Sequence, residues 1–123
     1  MIDIFTLIAQ NPACTALLGN NPVRFYLFTN APQAGDKPYA VWQLINGQPH
    51  NLLACPAPVD QYTVQIDVYA KRADEARRIA IALRAALEAD SHYTITNWAR
   101  EDYEHDTRLY RVSFDADVYQ PHP

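Results

Sequence analysis

Between Gln61 and Glu88 the hydrophobic pattern changes from strand period to helix period with no breaker at the junction. Tyr62, Val64, Ile66 and Val68 alternate with Thr63, Gln65, Asp67 and Tyr69, which predicts a strand with one face in a core and the other wet. From Lys71 onward Ala73, Ala76, Ile79, Ala80, Leu83, Ala86 and Leu87 recur three and four apart and predict a single buried helical stripe. Arg72, Asp74, Glu75, Arg78 and Glu88 fall mostly on the opposite side. Asp74 and Glu75 suit the positive end of the helix dipole, and Asp74 with Arg78 has the spacing of a helix-stabilising ion pair. An alanine-rich stripe lets a helix approach its sheet closely, so this strand-helix unit is the expected nucleus of the fold.

The flanking segments read around that nucleus. Asp3 is placed to cap a short helix through Ile4, Phe5, Leu7 and Ile8, and Asn11-Pro12 restarts a helix that Gly19 ends. Val23 to Phe28 is dense in β-formers, and Thr29 to Pro38 carries loop chemistry. Tyr39 to Asn46, apolar on both faces, predicts a central strand covered by helices on one side and by something else, such as another subunit, on the other. Gly47 to Asp60 has three prolines and no period, and reads as a long hairpin loop with Leu52 and Leu53 at its middle. Those two leucines either tuck against the protein's own sheet or offer a partner a hydrophobic contact. Thr94 to Tyr103 is a less regular strand, Glu104 to Thr107 its turn, and Leu109 to Tyr119 alternates cleanly.

Composition narrows the class. The 123 residues, 49% of them hydrophobic with only three glycines, fit one folded domain over 1–123 that needs no disulfide or metal for stability. A net charge of −4 without a basic run argues against general nucleic-acid or anionic-membrane binding. No positive leader opens the chain and no apolar run is long enough to span a bilayer, so a soluble cytoplasmic protein with no membrane partner is expected, with Cys14 and Cys55 reduced.

Candidate chemistry is sparse. His50, His92, His105 and His122 show no spacing that aims two ligands at one metal, and His50 with Cys55 is the closest approach to a reactive pair. Asp115 and Asp117 share one strand face and Glu101, Asp102 and Glu104 lie close together, but a solvated polar face explains both groups more simply than paired carboxylates. Three glycines cannot build the usual phosphate loop, and eight tyrosines and two tryptophans without interleaved cations read as core and interface. No catalytic residue, cofactor site or metal site is expected.

The order of landmarks carries a resemblance. A short N-terminal helix, Arg24-Phe-Tyr, Ala31-Pro-Gln, Lys37-Pro-Tyr-Ala-Val-Trp42, Val64-Gln-Ile-Asp-Val-Tyr-Ala70, Glu75-Ala-Arg-Arg-Ile-Ala80 with Leu83 to Leu87, and Leu109-Tyr-Arg111 before an Asp-Ala-Asp-Val strand together resemble the tail-completion, or head-tail joining, proteins of long-tailed bacteriophages and prophages. The resemblance implies an α+β fold, an antiparallel-rich sheet of four to five strands with helices on one face in the order α-β-β-β-α-β-β. It further implies a structural, non-enzymatic subunit of a hexameric ring, a tail terminator that caps the tail tube, joins it to the head and passes DNA without specific binding. Its partners would be further copies of itself, the tail tube protein and the head-tail connector, first in the host cytoplasm and then in the virion. Trp42, Leu52, Leu53, Asp115 and Asp117 are the expected partner contacts, the two aspartates as part of an acidic or neutral lumen. The competing class is a small-molecule-binding regulatory domain of ferredoxin-like shape, which would show a pocket of convergent polar groups.

Overall fold

The computed structural model describes residues 3–20, 22–28, 37–49 and 59–121. Two short helices, α1 (Ile4–Ala9) and α2 (Pro12–Leu18), lead into strands β1 (Phe25–Leu27), β2 (Tyr39–Pro49) and β3 (Val59–Ala70). Helix α3 (Ala73–Glu88) and strands β4 (Tyr93–Glu104) and β5 (Leu109–Pro121) follow. The fold is α+β, with a five-stranded sheet in the order β1-β2-β3-β5-β4. Its one parallel pairing is β1 with β2; β2 with β3, β3 with β5 and β5 with β4 are antiparallel.

The helix ends follow from local chemistry. The Asp3 side chain accepts a hydrogen bond from the Thr6 amide at 3.1 Å, and that of Asn11 accepts one from the Cys14 amide at 3.1 Å, each satisfying a backbone donor that the first turn leaves free. Pro12 at the first position of α2 loses no helix bond. Gly19 closes that helix at φ +85°, a backbone conformation that a β-carbon disfavours. In α3 the negative side chains Asp74 and Glu75 stand in the first turn, as the pattern predicts.

The core lies between the helices and one face of the sheet. Val64, Ile66 and Val68 of β3 pair with Ala116, Phe114 and Val112 of β5, so all six side chains emerge on one side. They are buried there together with Ala76, Ile79, Ala80, Leu83, Ala86 and Leu87 of α3, the predicted stripe, and with Ile4, Ile8 and Leu18 of the two short helices.

Three expectations need revising. The Val23 to Phe28 strand shrinks to three residues: Arg24 turns its amide back to Leu18 and its guanidinium to the Pro38 carbonyl at 2.7 Å, and meets β2 only through its carbonyl, which accepts from the Ala40 amide. The Gly47 to Asp60 hairpin loop is shorter than its prolines imply: Gly47, Gln48 and Pro49 still pair with Tyr62, Gln61 and Asp60. Proline is tolerated at a strand end, where its missing N–H breaks no ladder; residues 50–58 lie outside the described residues. Finally, β2 is not the middle of the sheet; β3 is, and β2 stands between it and the short β1.

Candidate functional site

The antiparallel register puts a second set of side chains on the sheet face away from the helices: Gln61, Thr63, Gln65, Asp67 and Tyr69 of β3 opposite Tyr119, Asp117, Asp115, Ser113 and Arg111 of β5. Alternation predicts a wet face here, yet Asp67, Ser113 and Asp115 are buried, with Asp115 only 6% exposed. Cross-strand neighbours close over them. Ser113 Oγ donates to Asp67 Oδ1 at 2.5 Å while the Gln65 amide donates to the same carboxylate at 3.1 Å. Asn97 Nδ2 and Arg100 Nη2 of β4 each reach Asp115 at 3.0 Å. Asp117 accepts from Gln61 Nε2 at 2.9 Å and from Thr63 Oγ1 at 2.8 Å. At the far end Arg111 bridges Asp102 and Glu104, both at 3.3 Å. Beside it Tyr39 stacks on Tyr69 with ring centres 5.0 Å apart, Tyr26 leans on Tyr39, and Lys37 lies over the Tyr39 ring. Burial, and next the neighbouring Asp67 and Glu104 charges, push the Tyr69 phenol above its ordinary pKa. The result is a hydrogen-bonded acidic face with an aromatic corner.

Each predicted contact residue can now be located. Asp115 and Asp117 do share a face, but Asp115 pairs with Arg100 and every oxygen of both carboxylates accepts at least one hydrogen bond. Trp42 is on the opposite, helix-facing side, partly buried against the core between Leu27 and Ile66. Leu52 and Leu53, like His50 and Cys55, lie outside the described residues. Glu101, Asp102 and Glu104 separate: Glu101 crosses to Arg77 of α3 at 2.5 Å, while the other two meet Arg111.

The outer side of α3 is the second notable surface, and the hydrophobic pattern gives it no emphasis. Ile81 is 59% exposed and sits one helical turn from Arg77, Arg78 and Arg84. Arg84 also lies over the Trp98 ring of β4 at 4.8 Å, and Trp98 is itself exposed. The available signal was a large apolar residue that falls off the buried stripe and is ringed by cations.

Two hollows flank these surfaces. One, of about 240 Å³, lies between the start of α3 and the β4–β5 hairpin and is lined by Arg77, Glu101, Tyr103, Tyr110 and Arg111. The other is a broad depression between α1–α2 and the end of α3, around Leu7, Asn11, Ala86 and Asp90. Among the described residues no cluster of His, Cys, Asp and Glu is arranged to hold a metal, and no buried side-chain polar atom lacks a partner. Cys14 is buried and burial pushes its thiol up to about 11, far from the thiolate that a nucleophile requires. Among the described residues no helix is long and apolar enough to cross a membrane.

The open sheet face and the outer side of α3 are thus two broad surfaces on opposite sides of the fold. The chain belongs to the family described as tail completion protein gp17, whose model matches residues 2–120. It is therefore a structural protein of the phage-tail class, and the resemblance read from its motif order is borne out. Among solved structures, a chain of the virion of a native gene transfer agent (GTA) particle shares the fold: 16% identity, a TM-score of 0.66, and coverage of 97% of this chain and 92% of that one. A structure from Akkermansia muciniphila is 17% identical over 65% of this chain and 44% of its own, with a TM-score of 0.36, too low to bear on the fold. No curated protein matches the chain.

Proposed function

We propose that this protein completes a phage-type tail as one subunit of a hexameric ring that caps the tail tube and joins it to the head. The observation that carries this reading is the family match over residues 2–120. The surfaces agree with it: a two-faced sheet offers broad areas to neighbours, and its polar groups are engaged with one another instead of converging on a ligand. The subunit acts as a single domain, assembles in the host cytoplasm and enters the virion. Its partners are further copies of itself, the tail tube protein and the head-tail connector, with Trp42, Leu52, Leu53, Asp115 and Asp117 among the contact residues. DNA passes the ring without being gripped, in keeping with a net charge of −4.

Deletion of the gene from the phage or prophage that carries it tests the reading. Electron microscopy of the lysate is expected to show filled heads separate from tails whose tube ends lack a six-fold cap, with joined particles restored by a plasmid copy. Normal particles from the deletion would reject the role. A two-fold dimer at every concentration, with a thermal shift on adding metabolites, would favour a regulatory domain instead.

A further inference from the structure

We infer that the subunits join head to tail, the outer face of α3 of one copy docking on the open, acidic sheet face of the next. The inference rests on the ring reading above and names the surfaces that make the ring. Its first support is charge. Around α3, Lys71, Arg72, Arg77, Arg78 and Arg84 outnumber the carboxylates Asp74, Glu75, Glu88 and, reaching Arg77 from β4, Glu101. On the open sheet face, among the described residues, Asp67, Asp102, Glu104, Asp115 and Asp117 outnumber Arg100, Arg111 and Lys37. Either face paired with its own copy across a two-fold axis sets like charges together; the two faces paired with each other set opposite charges together. The contact is therefore heterologous, and a heterologous contact is the kind that closes into a ring.

The second support is the shape of the α3 surface. Ile81 stands at its centre, 59% exposed, with Arg77, Arg78 and Arg84 around it. An apolar anchor inside a cationic rim has the anatomy of a binding hot spot, whose rim shields the centre from water. The opposing face offers the tyrosines that suit both parts, the stacked Tyr39 and Tyr69 at one end and the exposed Tyr119 at the other. The arginines are presently engaged with Asp74, Glu101 and Glu88, but both partners in each pair are more than a third exposed and such pairs exchange at little cost. The docked helix also accounts for the pre-formed network beneath it: Asp67, Ser113 and Asp115 are already satisfied, so covering them strands no polar group.

Ile81→Asp and Tyr119→Arg, one on each face, test the inference in the full chain. Both positions are exposed, so the melting temperature of the monomer should stay within a degree or two of wild type, roughly. Sedimentation velocity over a concentration series is expected to show multimers for wild type, weakened by added salt, and self-association reduced about 30-fold or more in each variant. Mixing the two variants should yield a one-to-one dimer that grows no further, because each contributes one intact face. If Ile81→Asp multimerises as wild type does, the inference is overturned. It is equally overturned if wild type is monomeric alone and Ile81→Asp still caps tails normally. A third outcome has the same effect: Arg78→Glu loses affinity for duplex DNA while self-association is unchanged, since α3 would then face nucleic acid. Wild type that neither multimerises nor binds tails would instead reject the ring reading itself.

Discussion

Asp67 shows how a single residue escapes a pattern. Alternation places it on the solvent face of β3, and there it lies, but the Ser113 hydroxyl across the ladder and the Gln65 amide two residues back enclose it. Period-two reading assigns a face; it carries no information on which strand will lie alongside, and it is the neighbour that decides burial. The same gap hides the Asp115 contacts to Asn97 and Arg100, which are 18 and 15 residues away in sequence. Cys14 is the inert buried thiol that its sequence context implies, and the consequence is measurable. Its folded pKa, about 11, lies above the ordinary value of 9.0. The neutral thiol is thus favoured by the fold, and the stability it contributes is complete below pH 9.0 and is lost as pH rises through about 11. Alkylation of Cys14 by iodoacetamide at neutral pH is expected only after denaturation, and Cys14→Ala should flatten the alkaline decline of the urea midpoint. Rapid labelling of the native protein at this residue would contradict the burial.

At the scale of elements, the helices are legible because each carries its own punctuation. Asp3, Asn11-Pro12 and Gly19 are local signals that need no tertiary context, and the α3 stripe matches its buried set from Ala76 to Leu87. Strand ends are less legible: β1 begins late, because Arg24 turns its amide back to Leu18 and its guanidinium to Pro38, and the latter contact lies in no local window. Gly19 couples the two cases. Its φ of +85° ends α2, and a β-carbon there would meet Arg24 Nη1 at 2.6 Å, the same guanidinium that holds Pro38. Gly19→Ala is therefore expected to lower stability by about 1–2 kcal/mol, through left-handed strain and a displaced arginine. Asn11→Ala, which removes the cap on the Cys14 amide, should cost about 1 kcal/mol. Equal denaturant midpoints for Gly19→Ala and wild type would show that the α2 terminus relaxes without strain.

Across the whole molecule, fold class and family are readable from the order of motifs along the chain, whereas the paired faces of the sheet emerge only from the order β1-β2-β3-β5-β4. That order also sets a stability gradient. β3 and β5 each have a strand on both sides and hold Val64, Ile66, Val68, Phe114 and Ala116 against α3, while β4 is as long as β3 but lies at the edge and is mostly exposed. Length alone does not protect an amide; opening an edge strand exposes little core, whereas opening β3 breaks two ladders and the helix contact at once. Native-state hydrogen exchange should find the slowest amides in β3, β5 and the middle of α3, exchanging only by global unfolding, and much faster exchange in β4. Ile66→Asp, which buries an unpaired carboxylate at the centre of that slow unit, should cost more than the few kcal/mol by which such a domain is stable and leave it unfolded. Protection as high in β4 as in β3 for the monomer would mean that the sheet opens only as one block, and a folded Ile66→Asp variant would move the core away from the β3–α3 seam.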